Sequence, residues 1–333
     1  MIIRSKAPYR ISFGGGGTDV PPYCWDHGGA VVSTTINKYA YATLMANGDK
    51  RANVHSVDFD LNKSFALEQL EYNGCLDLVK AAINEFKVRE GIDLSIHGDM
   101  PPGSGMGTSS SMATALLGCL KELVGKRISK EEIAKLACHI EREELCEKGG
   151  YQDQYAAVFG GLNYIEFYKH EVRVNPIKLS SELLNELEYH LLLFFTGKTR
   201  LSSDVHKDME NRYKEKAKDC LDGLDNLMLV AQDMKRALLN GDLKGFGELL
   251  HEGWIQKQKL SSKVATTETD KLYEVAQKNG AVGGKILGAG SGGHLLLFCE
   301  PDRRFEVIHE LNKCGVTMVP FEFESKGLQT WRA

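Results

Sequence analysis

The chain has 333 residues, more than one ordinary hydrophobic core holds, so its length favours two domains. A formal net charge of -4 argues against a strongly basic nucleic-acid surface, and no apolar run approaches the roughly 20 residues that cross a bilayer. The opening residues lack the apolar stretch of a secretion signal. The cysteines occur singly, without a Cys-x-x-Cys pair, which indicates reduced thiols rather than disulfides or a zinc site. These features favour a cytoplasmic protein without nucleic-acid or membrane partners.

The first half of the chain contains predicted strands and helices. Aromatic and branched residues predict strands at 39–46 and 94–96. An apolar stripe predicts a helix that starts near Ser109. A second helix is predicted to begin at Ser129, because Glu132 follows three residues later and completes the pattern of a capping box.

The second half has a similar mixture. An apolar run predicts a strand at 191–195, and the pattern from 204 to 259 is mainly helical with a break near Gly241. A further helix over 269–279 is predicted to stop at Gly280, a residue that commonly ends helices.

Residues 285–299 then predict a strand, a glycine loop and a strand. Strands and helices in both halves indicate an α+β or α/β protein. We place the domain boundary near residue 185, which divides the chain into 1–185 and 186–333.

Glycines are concentrated in a central segment, 101–111, which follows a predicted strand and opens a predicted helix. Such glycines let the backbone approach a phosphate, and the free amides of the first helical turn point at it. The segment is neither a Walker loop nor a Gly-x-Gly-x-x-Gly dinucleotide loop. A connector with a serine cap is the alternative. The predicted phosphate ligands are Pro102, Gly103, Ser104, Gly105, Met106, Gly107, Thr108, Ser109 and Ser110.

Two other glycine-rich segments flank it in the sequence. The first, 8–19, has four successive glycines followed by Asp19, which can accept from sugar hydroxyls, and contains Arg10, which can bind phosphate. A flexible hairpin with a surface ion pair is the alternative for this segment. The third, 283–293, lies between two predicted strands and has more glycines than a tight turn needs. Close approach of its backbone to a ligand, or to the other two segments, explains this composition better.

These three segments, in this order and spacing, resemble the three motifs of the GHMP kinases, a superfamily that includes galactokinase, homoserine kinase and mevalonate kinase. The first motif continues as Asp-His-Gly-Gly-Ala-Val at 26–31. Together with Phe-Thr-Gly-Lys-Thr-Arg at 195–200, it is similar to the heptose kinases, which convert D-glycero-D-manno-heptose 7-phosphate to the 1,7-bisphosphate.

The resemblance implies a fold, an activity and partners. The N-terminal domain would resemble domain 2 of ribosomal protein S5, the C-terminal domain would be ferredoxin-like, and the active site would lie between them. ATP and Mg²⁺ would be required, and the other partner would be a small sugar phosphate. The product would lead towards nucleotide-activated heptose for surface glycans, and a homodimer is possible.

The resemblance also assigns two magnesium ligands. Ser109 matches one, and the second is a glutamate on the following helix. Ile133, Ala137 and Glu141 lie at successive i+4 steps, so Glu141 extends an apolar ridge. A carboxylate there is costly unless it is paired or metal-bound. Glu144 remains a competitor, and a helix end at which Glu141 emerges into water is the alternative.

Asp153 and Arg10 match the catalytic residues of the family. Asp153 would orient the anomeric hydroxyl and can accept its proton, whereas its alternative role is to cap the following helix. Whether it is a base or only positions the hydroxyl is open. Arg10 would pair with Asp153 and stabilise charge on the transferred phosphoryl group.

Substrate contacts are expected at the ends of the first and third motifs. A sugar that already carries a phosphate needs a second anion site, for which Lys198 and Arg200 are candidates, although a solvated loop would have the same sequence. The predicted substrate-binding residues are Gly16, Gly17, Thr18, Asp19, Lys198, Arg200, Gly290 and Gly292.

Two alternatives to the heptose kinase assignment remain open. One is another sugar 1-kinase of the same superfamily, of the fucokinase or galactokinase type, which acts on a neutral sugar. The other is a non-catalytic ligand sensor, against which the presence of Arg10, Ser109, Glu141 and Asp153 argues. Motifs alone do not prove turnover.

Overall fold

The computed structural model describes residues 1–199 and 203–333. Its strands, in chain order, are β1 (Ile2–Gly14), β2 (Gly29–Ala46), β3 (Arg51–Ser56), β4 (Leu61–Ala66), β5 (Ile92–Gly98), β6 (Asn163–Phe167), β7 (Val172–Pro176), β8 (Leu191–Phe195), β9 (Ala281–Ile286), β10 (His294–Cys299), β11 (Thr317–Met318), β12 (Phe323–Glu324) and β13 (Gln329–Arg332). The helices are α1 (Tyr23–Asp26), α2 (Asp77–Glu85), α3 (Thr108–Leu123), α4 (Lys130–His139), α5 (Gln152–Phe159), α6 (Ser181–His190), α7 (Ser203–Lys214), α8 (Lys218–Asn240), α9 (Leu243–Gln258), α10 (Thr267–Lys278) and α11 (Arg304–Lys313). A π-helical turn (Ile140–Glu144) follows α4, and a 3-10 turn (Pro301–Arg303) precedes α11.

The strands form two separate sheets. The path β13-β1-β2-β5-β3-β4 builds the larger one, to which β6, β7 and β12 are added through β2 and β6. Its pairs are antiparallel except β3 with β5. The smaller sheet, in the order β11-β8-β10-β9, is antiparallel throughout. This mixed architecture confirms the predicted α+β class.

The chain enters the smaller sheet at β8 and returns to the larger sheet at its end, since β12 pairs with β2 and β13 with β1. The predicted boundary at residue 185 falls inside α6, between the last early strand of the larger sheet and the first strand of the smaller one. The division into domains stays a prediction.

Three buried clusters hold these layers together. One lies between the larger sheet and helices α2 to α5, and another lies between the smaller sheet and the helices of the second half. The remaining cluster joins the two sheets through side chains such as Phe13 of β1, Met234 of α8 and Phe298 of β10. Because this shared core connects both layers, elements from both can hold one site in register.

Local signals placed several helices correctly. Ser129 Oγ accepts from the backbone N–H of Glu132 at 3.2 Å, and the Glu132 carboxylate accepts from the Ser129 N–H at 2.7 Å, which confirms the predicted capping box. The predicted break near Gly241 is also present, with Gly241 at a φ of 71° between α8 and α9. The break between α7 and α8 was missed, because Lys216, and not a glycine, takes the positive φ there.

Two further expectations concern the cysteines and membranes. All eight cysteines are free thiols, five of them buried, as their spacing predicted. Among the helices that the structure describes, none has the length and apolar character of a membrane span.

Replacing Gly283 with alanine is expected to lower the free energy of unfolding by about 1–3 kcal/mol. A Cβ on this β9 residue would lie 2.0 Å from the carbonyl oxygen of Gly247 in α9, so the helix must move away from the strand. Urea unfolding monitored by circular dichroism measures the loss. Gly253→Ala is the matched control, because its Cβ would meet Val230 Cγ1 at 3.4 Å and alanine favours a helix. Equal losses in both variants would contradict the explanation.

Candidate active site

A cavity of about 860 Å³ brings the three glycine-rich segments together. Its wall contains residues of all three, including Arg10, Gly16, Gly105, Gly107 and Gly288. The segments lie far apart in sequence, and the shared core between the sheets makes them neighbours. The structure therefore supports the interpretation that the glycines serve one common site.

The central segment forms a tight loop directly before α3. Gly103, Gly105 and Gly107 have positive φ angles of 74°, 80° and 72°, which residues with a Cβ rarely adopt. The helix begins at Thr108, and Thr108, Ser109 and the loop glycines line the cavity. The first turn of α3 therefore presents free backbone amides and hydroxyls to an anion in the cavity.

The predicted phosphate ligands are not equivalent in the structure. Pro102 and Ser110 also line the cavity, whereas Ser104 and Met106 are fully buried and lie outside its wall. The Ser104 carbonyl oxygen lies 2.8 Å from His294 Nδ1, and the Met106 carbonyl accepts from the Arg10 N–H at 3.1 Å. The buried side chains of Ser104 and Met106 therefore support the loop, and direct contact of these two residues with the nucleotide stays a prediction.

The third segment packs against the back of this loop. A Cβ on Gly288 would lie 2.6 Å from Gly105 Cα, and a Cβ on Gly293 would lie 2.4 Å from the Ser104 carbonyl oxygen. No side chain fits between these backbones. The composition favoured two explanations, close approach to a ligand or to the other segments. Close approach to another loop accounts for these glycines.

Arg10 and Asp153 form an ion pair beside the phosphate loop. Arg10 Nε donates to Asp153 Oδ1 at 2.7 Å, and Arg10 Nη1 donates to the Gly105 carbonyl at 2.7 Å. The side chains are 4% exposed for Arg10 and 22% exposed for Asp153, so the pair is largely shielded from water. A Cβ on Gly107 would lie 3.2 Å from the Asp153 carboxyl carbon, which shows how closely the carboxylate approaches the loop.

Asp153 does not cap its helix. The N-cap of α5 is Tyr151, and Asp153 is the second residue inside the helix, so the capping alternative is wrong. The carboxylate is instead directed at Arg10 and the cavity.

Asp19 is a second carboxylate on the cavity wall, and it is 1% exposed. It accepts from the Gly17 N–H at 3.0 Å, the Gln152 N–H at 3.2 Å and Gln152 Nε2 at 3.1 Å. Burial raises the pKa of Asp19, and the nearby charge of Asp153 raises it further. Gly16 and Gly17 line the wall beside it, and their contact with the substrate stays a prediction.

Thr18 has a different position from the one predicted. Its hydroxyl donates to the Gly15 carbonyl at 2.8 Å and accepts from the Ala30 N–H at 3.0 Å, and the residue is fully buried outside the cavity wall. Thr18 holds the turn that positions Asp19. The predicted contact of Thr18 with the sugar is therefore corrected, because the hydroxyl is already bonded within the turn.

Glu141 lies in the π-helical turn after α4 and is 1% exposed. Its Oε2 accepts from Ser110 Oγ at 2.6 Å and from Gln154 Nε2 at 2.5 Å, and the residue lines the cavity. It does not emerge into water. Glu144 instead accepts from Tyr72 Oη at 2.9 Å and lies off the cavity wall. Of the two candidate carboxylates, only Glu141 faces the phosphate loop.

Ser109 is exposed to the cavity in the first turn of α3, one residue before the serine that bonds Glu141. The cavity thus offers a hydroxyl from α3 and a buried carboxylate from the π-helical turn. Hard oxygen donors of this kind suit Mg²⁺. These residues therefore fit the predicted metal ion.

The predicted second anion site is not assembled on the described cavity wall. Lys198 is 56% exposed and its Nζ lies 2.6 Å from the Glu268 carboxylate. Arg200 lies outside the described residues. Gly290 and Gly292 do line the cavity, but they also pack on the backbones of Val264 and Lys198. A phosphate role for Lys198 stays a prediction, and it requires the side chain to leave Glu268.

Sequence reasoning missed two buried lysines at the site. Lys285 is 2% exposed and donates to the Phe13 carbonyl at 3.1 Å, and Lys257 is 5% exposed and donates to the Gly288 carbonyl. Burial lowers the pKa of both, and the charge of Arg10 contributes, so that the pKa of Lys257 falls to about 8. Lys285 lies within the third glycine segment, but no sequence signal marked Lys257.

Another part of the wall is apolar. It comes from the turn between β3 and β4, from α2, from β5 and from α3, and includes Phe59, Leu61, Val79, Ile96 and Met112. A flat aromatic base has room there, next to the glycine loop before α3. Phosphoryl transfer needs a phosphate cradle, charge neutralisation and a group that orients the acceptor, and the cavity has residues suited to each. The fold and the site therefore define a phosphotransferase that acts on a small molecule.

Comparison with known proteins agrees with this class. The sequence models for the GHMP kinases N terminal domain and the GHMP kinases C terminal domain match residues 73–161 and 234–317. The D-glycero-alpha-D-manno-heptose 7-phosphate kinase of Campylobacter jejuni is 34% identical over 340 residues, which cover 99% of each chain. The bifunctional fucokinase/GDP-fucose pyrophosphorylase of Arabidopsis thaliana is 28% identical over 89% of this chain and 30% of its own length.

A crystal structure of a D-glycero-D-manno-heptose 1-phosphate kinase from Bacteroides thetaiotaomicron has a TM-score of 0.83 and 33% identity, and the match covers 99% of both chains. The chain belongs to the GHMP kinase family. This confirms the family, the two-domain kinase fold and the class of enzyme that the three glycine-rich segments indicated.

Proposed function

We propose that the protein transfers the γ-phosphate of ATP to the anomeric hydroxyl of D-glycero-D-manno-heptose 7-phosphate and forms the 1,7-bisphosphate. The product would lead towards nucleotide-activated heptose for surface glycans. The identity of the sugar is carried by one observation, the 34% identity to the Campylobacter jejuni heptose kinase over nearly the full length of both chains.

The nucleotide would lie along the wall of the cavity. Its phosphates would contact the loop glycines and the first turn of α3, and its base would lie in the apolar part of the wall. Ser109 and Glu141 would hold Mg²⁺, which would neutralise charge on the phosphates when bound. The buried hydrogen bonds from Ser110 and Gln154 would fix the orientation of the Glu141 carboxylate.

The chemistry requires one bond to form and one to break. The anomeric oxygen attacks the γ-phosphorus, the bond to the β-phosphate oxygen breaks, and ADP leaves. Asp153 orients the hydroxyl and receives its proton, while Arg10 holds Asp153 in place and stabilises the charge on the phosphoryl group. Asp19, fixed by Gly17 and Gln152, would accept from a hydroxyl of the sugar.

The 7-phosphate needs its own cations. Lys198 and Arg200 are proposed for this role because their loop follows β8, and the Lys198 backbone contacts the third glycine segment through the Gly293 N–H at 2.8 Å. When the phosphate binds, it would compete with Glu268 for Lys198. An exposed ion pair contributes little stability, so this exchange would cost little.

A neutral-sugar 1-kinase is the second candidate. The 28% identity to the plant fucokinase, over 89% of this chain, favours it specifically. Fucose carries no phosphate, so such an enzyme would not need the second anion site. The two functions are therefore separated by whether the acceptor must bear a phosphate.

Purified protein with Mg-ATP is expected to phosphorylate heptose 7-phosphate at least about 100-fold more efficiently than the unphosphorylated heptose, because one lost charge-assisted contact is worth about 1.5–3 kcal/mol and two are proposed. A coupled assay for ADP measures kcat/KM for both heptoses, fucose and galactose. The unphosphorylated heptose is the matched control, since it differs only in the phosphate. Efficient turnover of fucose or galactose, without heptose 7-phosphate turnover, would overturn the assignment. Lys198→Met should raise the KM for heptose 7-phosphate and leave that for ATP unchanged.

A further inference from the structure

Lys257 occupies an unusual position for a lysine near a helix end. It is the penultimate residue of α9, yet it is 5% exposed and lines the same cavity as the phosphate loop. Its Nζ donates to the carbonyl of Gly288, the residue whose Cα packs against Gly105 of that loop. The ammonium group is thus held beside the loop, and Lys257 also lines the cavity.

Charged and titratable groups from every neighbouring element face this ammonium. The acidic groups are Asp19, on the loop after β1, and Asp153, on α5. The cationic groups are Arg10 of β1 and Lys285 of β9, and the remaining group is His206 of α7. Arg10 and Asp153 already bind each other, and Asp19 is bound by Gly17 and Gln152. No carboxylate among the described residues forms a salt bridge with Lys257.

A buried ammonium without a bound carboxylate is costly, and a protein retains one where a ligand supplies the missing charge. An ammonium has three donors, and a single one is used, for the Gly288 carbonyl, among contacts with the described residues. Two donors therefore remain, in a cavity that also holds the Arg10–Asp153 pair. His206 lines the same cavity with a buried Nδ1 that has no hydrogen-bond partner among the described residues, so this part of the wall also offers a polar atom to a ligand.

We propose that Lys257 is a further catalytic residue, whose ammonium donates to the phosphoryl oxygens as the group passes from ADP to the sugar oxygen. The inference rests on the proposed kinase function but not on which sugar is the acceptor. The P–O bond to ADP breaks, the bond to the sugar oxygen forms, and the hydroxyl proton goes to Asp153. Lys257 keeps its own protons and offsets negative charge. Lys285, which bonds the Phe13 carbonyl of β1, holds β1 against β9.

The charge of Lys257 has a consequence for pH dependence. In the free enzyme its pKa is lowered to about 8, first by burial and then by Arg10. Because the charged form is the active one, kcat/KM should fall as the pH rises through about 8. An adjacent γ-phosphate favours the ammonium and raises its pKa, so the fall in kcat should occur at higher pH. For the same reason, ATP binding at pH 8 should take up part of a proton.

Four variants separate catalysis from support of the loop. Lys257→Gln keeps a donor for the Gly288 carbonyl but loses the charge, Lys257→Met loses both, and Lys257→Arg keeps the charge at any accessible pH. We expect kcat to fall about 10- to 100-fold in the first two, with an unchanged melting temperature in Lys257→Gln. The decrease in kcat/KM near pH 8 should disappear in Lys257→Arg. Lys259→Met, at the exposed end of the same helix, is the control and should resemble the wild type. Wild-type kcat in Lys257→Gln would overturn the proposal and leave Lys257 a structural role.

Calorimetry tests the inference without any sugar. Binding of Mg-ATP and Mg-ADP at pH 8, measured in buffers with different ionisation enthalpies, gives the protons taken up on binding. We expect uptake with ATP in the wild type and in Lys259→Met, and its loss in Lys257→Met. Equal uptake in wild type and Lys257→Met would contradict the contact with the γ-phosphate. If the wild type phosphorylates none of the sugars but shows this difference, the proposed substrate fails while the contact of Lys257 with the γ-phosphate stands.

Discussion

Replacing Asp153 with asparagine is expected to lower kcat by about 1,000-fold, within the range for loss of a general acid or base. Asparagine can still accept from Arg10 Nε, which now bonds Asp153 Oδ1 at 2.7 Å, so the geometry of the pair should persist. What is lost is the negative charge that we propose orients the sugar hydroxyl and receives its proton. Steady-state ADP release gives kcat, and calorimetry should show an almost unchanged Kd for Mg-ATP.

A double-mutant cycle with Arg10→Gln makes this prediction more specific. Arg10 and Asp153 act as one unit, so the double variant should be little slower than the slower single variant. Multiplicative losses would instead mean that the two side chains act independently. A kcat in Asp153→Asn within about threefold of the wild type, with the melting temperature preserved, would exclude Asp153 from the chemistry.

Replacing Glu141 with glutamine is expected to lower kcat by about 100-fold or more, since a metal ion that offsets phosphate charge contributes several kcal/mol to the transition state. The apparent Mg²⁺ affinity should fall as well. The amide can keep one of the hydrogen bonds, from Ser110 Oγ or Gln154 Nε2, that now reach Glu141 Oε2. Activity measured as a function of Mg²⁺ concentration at saturating ATP gives both quantities.

Glu144→Gln is the matched control, because it makes the same change three residues away in the same π-helical turn. Glu144 is directed at Tyr72 and lies off the cavity wall, so kcat and Mg²⁺ dependence should stay at wild-type values. A larger Mg²⁺ effect in Glu144→Gln than in Glu141→Gln would reverse the assignment of the metal ligand.

The backbone of the active site was predictable because its signals are local. Glycines between a strand and a helix indicate a phosphate loop wherever the chain goes afterwards, and the structure has a loop of glycines with positive φ angles directly before α3. The inward face of Glu141 was also predictable, since i+4 spacing from Ile133 and Ala137 sets the face of a helix. The same spacing did not decide between Glu141 and Glu144. That choice depended on the π-helical turn, which changes the rotation per residue about the helix axis after His139.

Side chains that act within turns were harder to predict. Thr18 and Asp19 are adjacent polar residues that end the same motif, and both were assigned to the sugar. In the structure the hydroxyl of Thr18 bonds Gly15 and Ala30, whereas Asp19 faces the cavity. Neighbouring residues in a turn point in different directions, and composition does not contain that information.

The two lysines near the end of α9 show which properties follow from the sequence and which follow from the tertiary structure. Lys257 and Lys259 have nearly the same neighbours along the chain, and both read as solvated cations at a helix C-terminus. The sequence alone determined the family, because its motifs depend on local composition, and the resemblance to that family implied the pair Arg10 and Asp153. Only the packing of α9 between the two sheets made Lys257 5% exposed and left Lys259 in solvent. Burial is a property of contacts between distant segments, so charge and pKa at such a position follow from the fold.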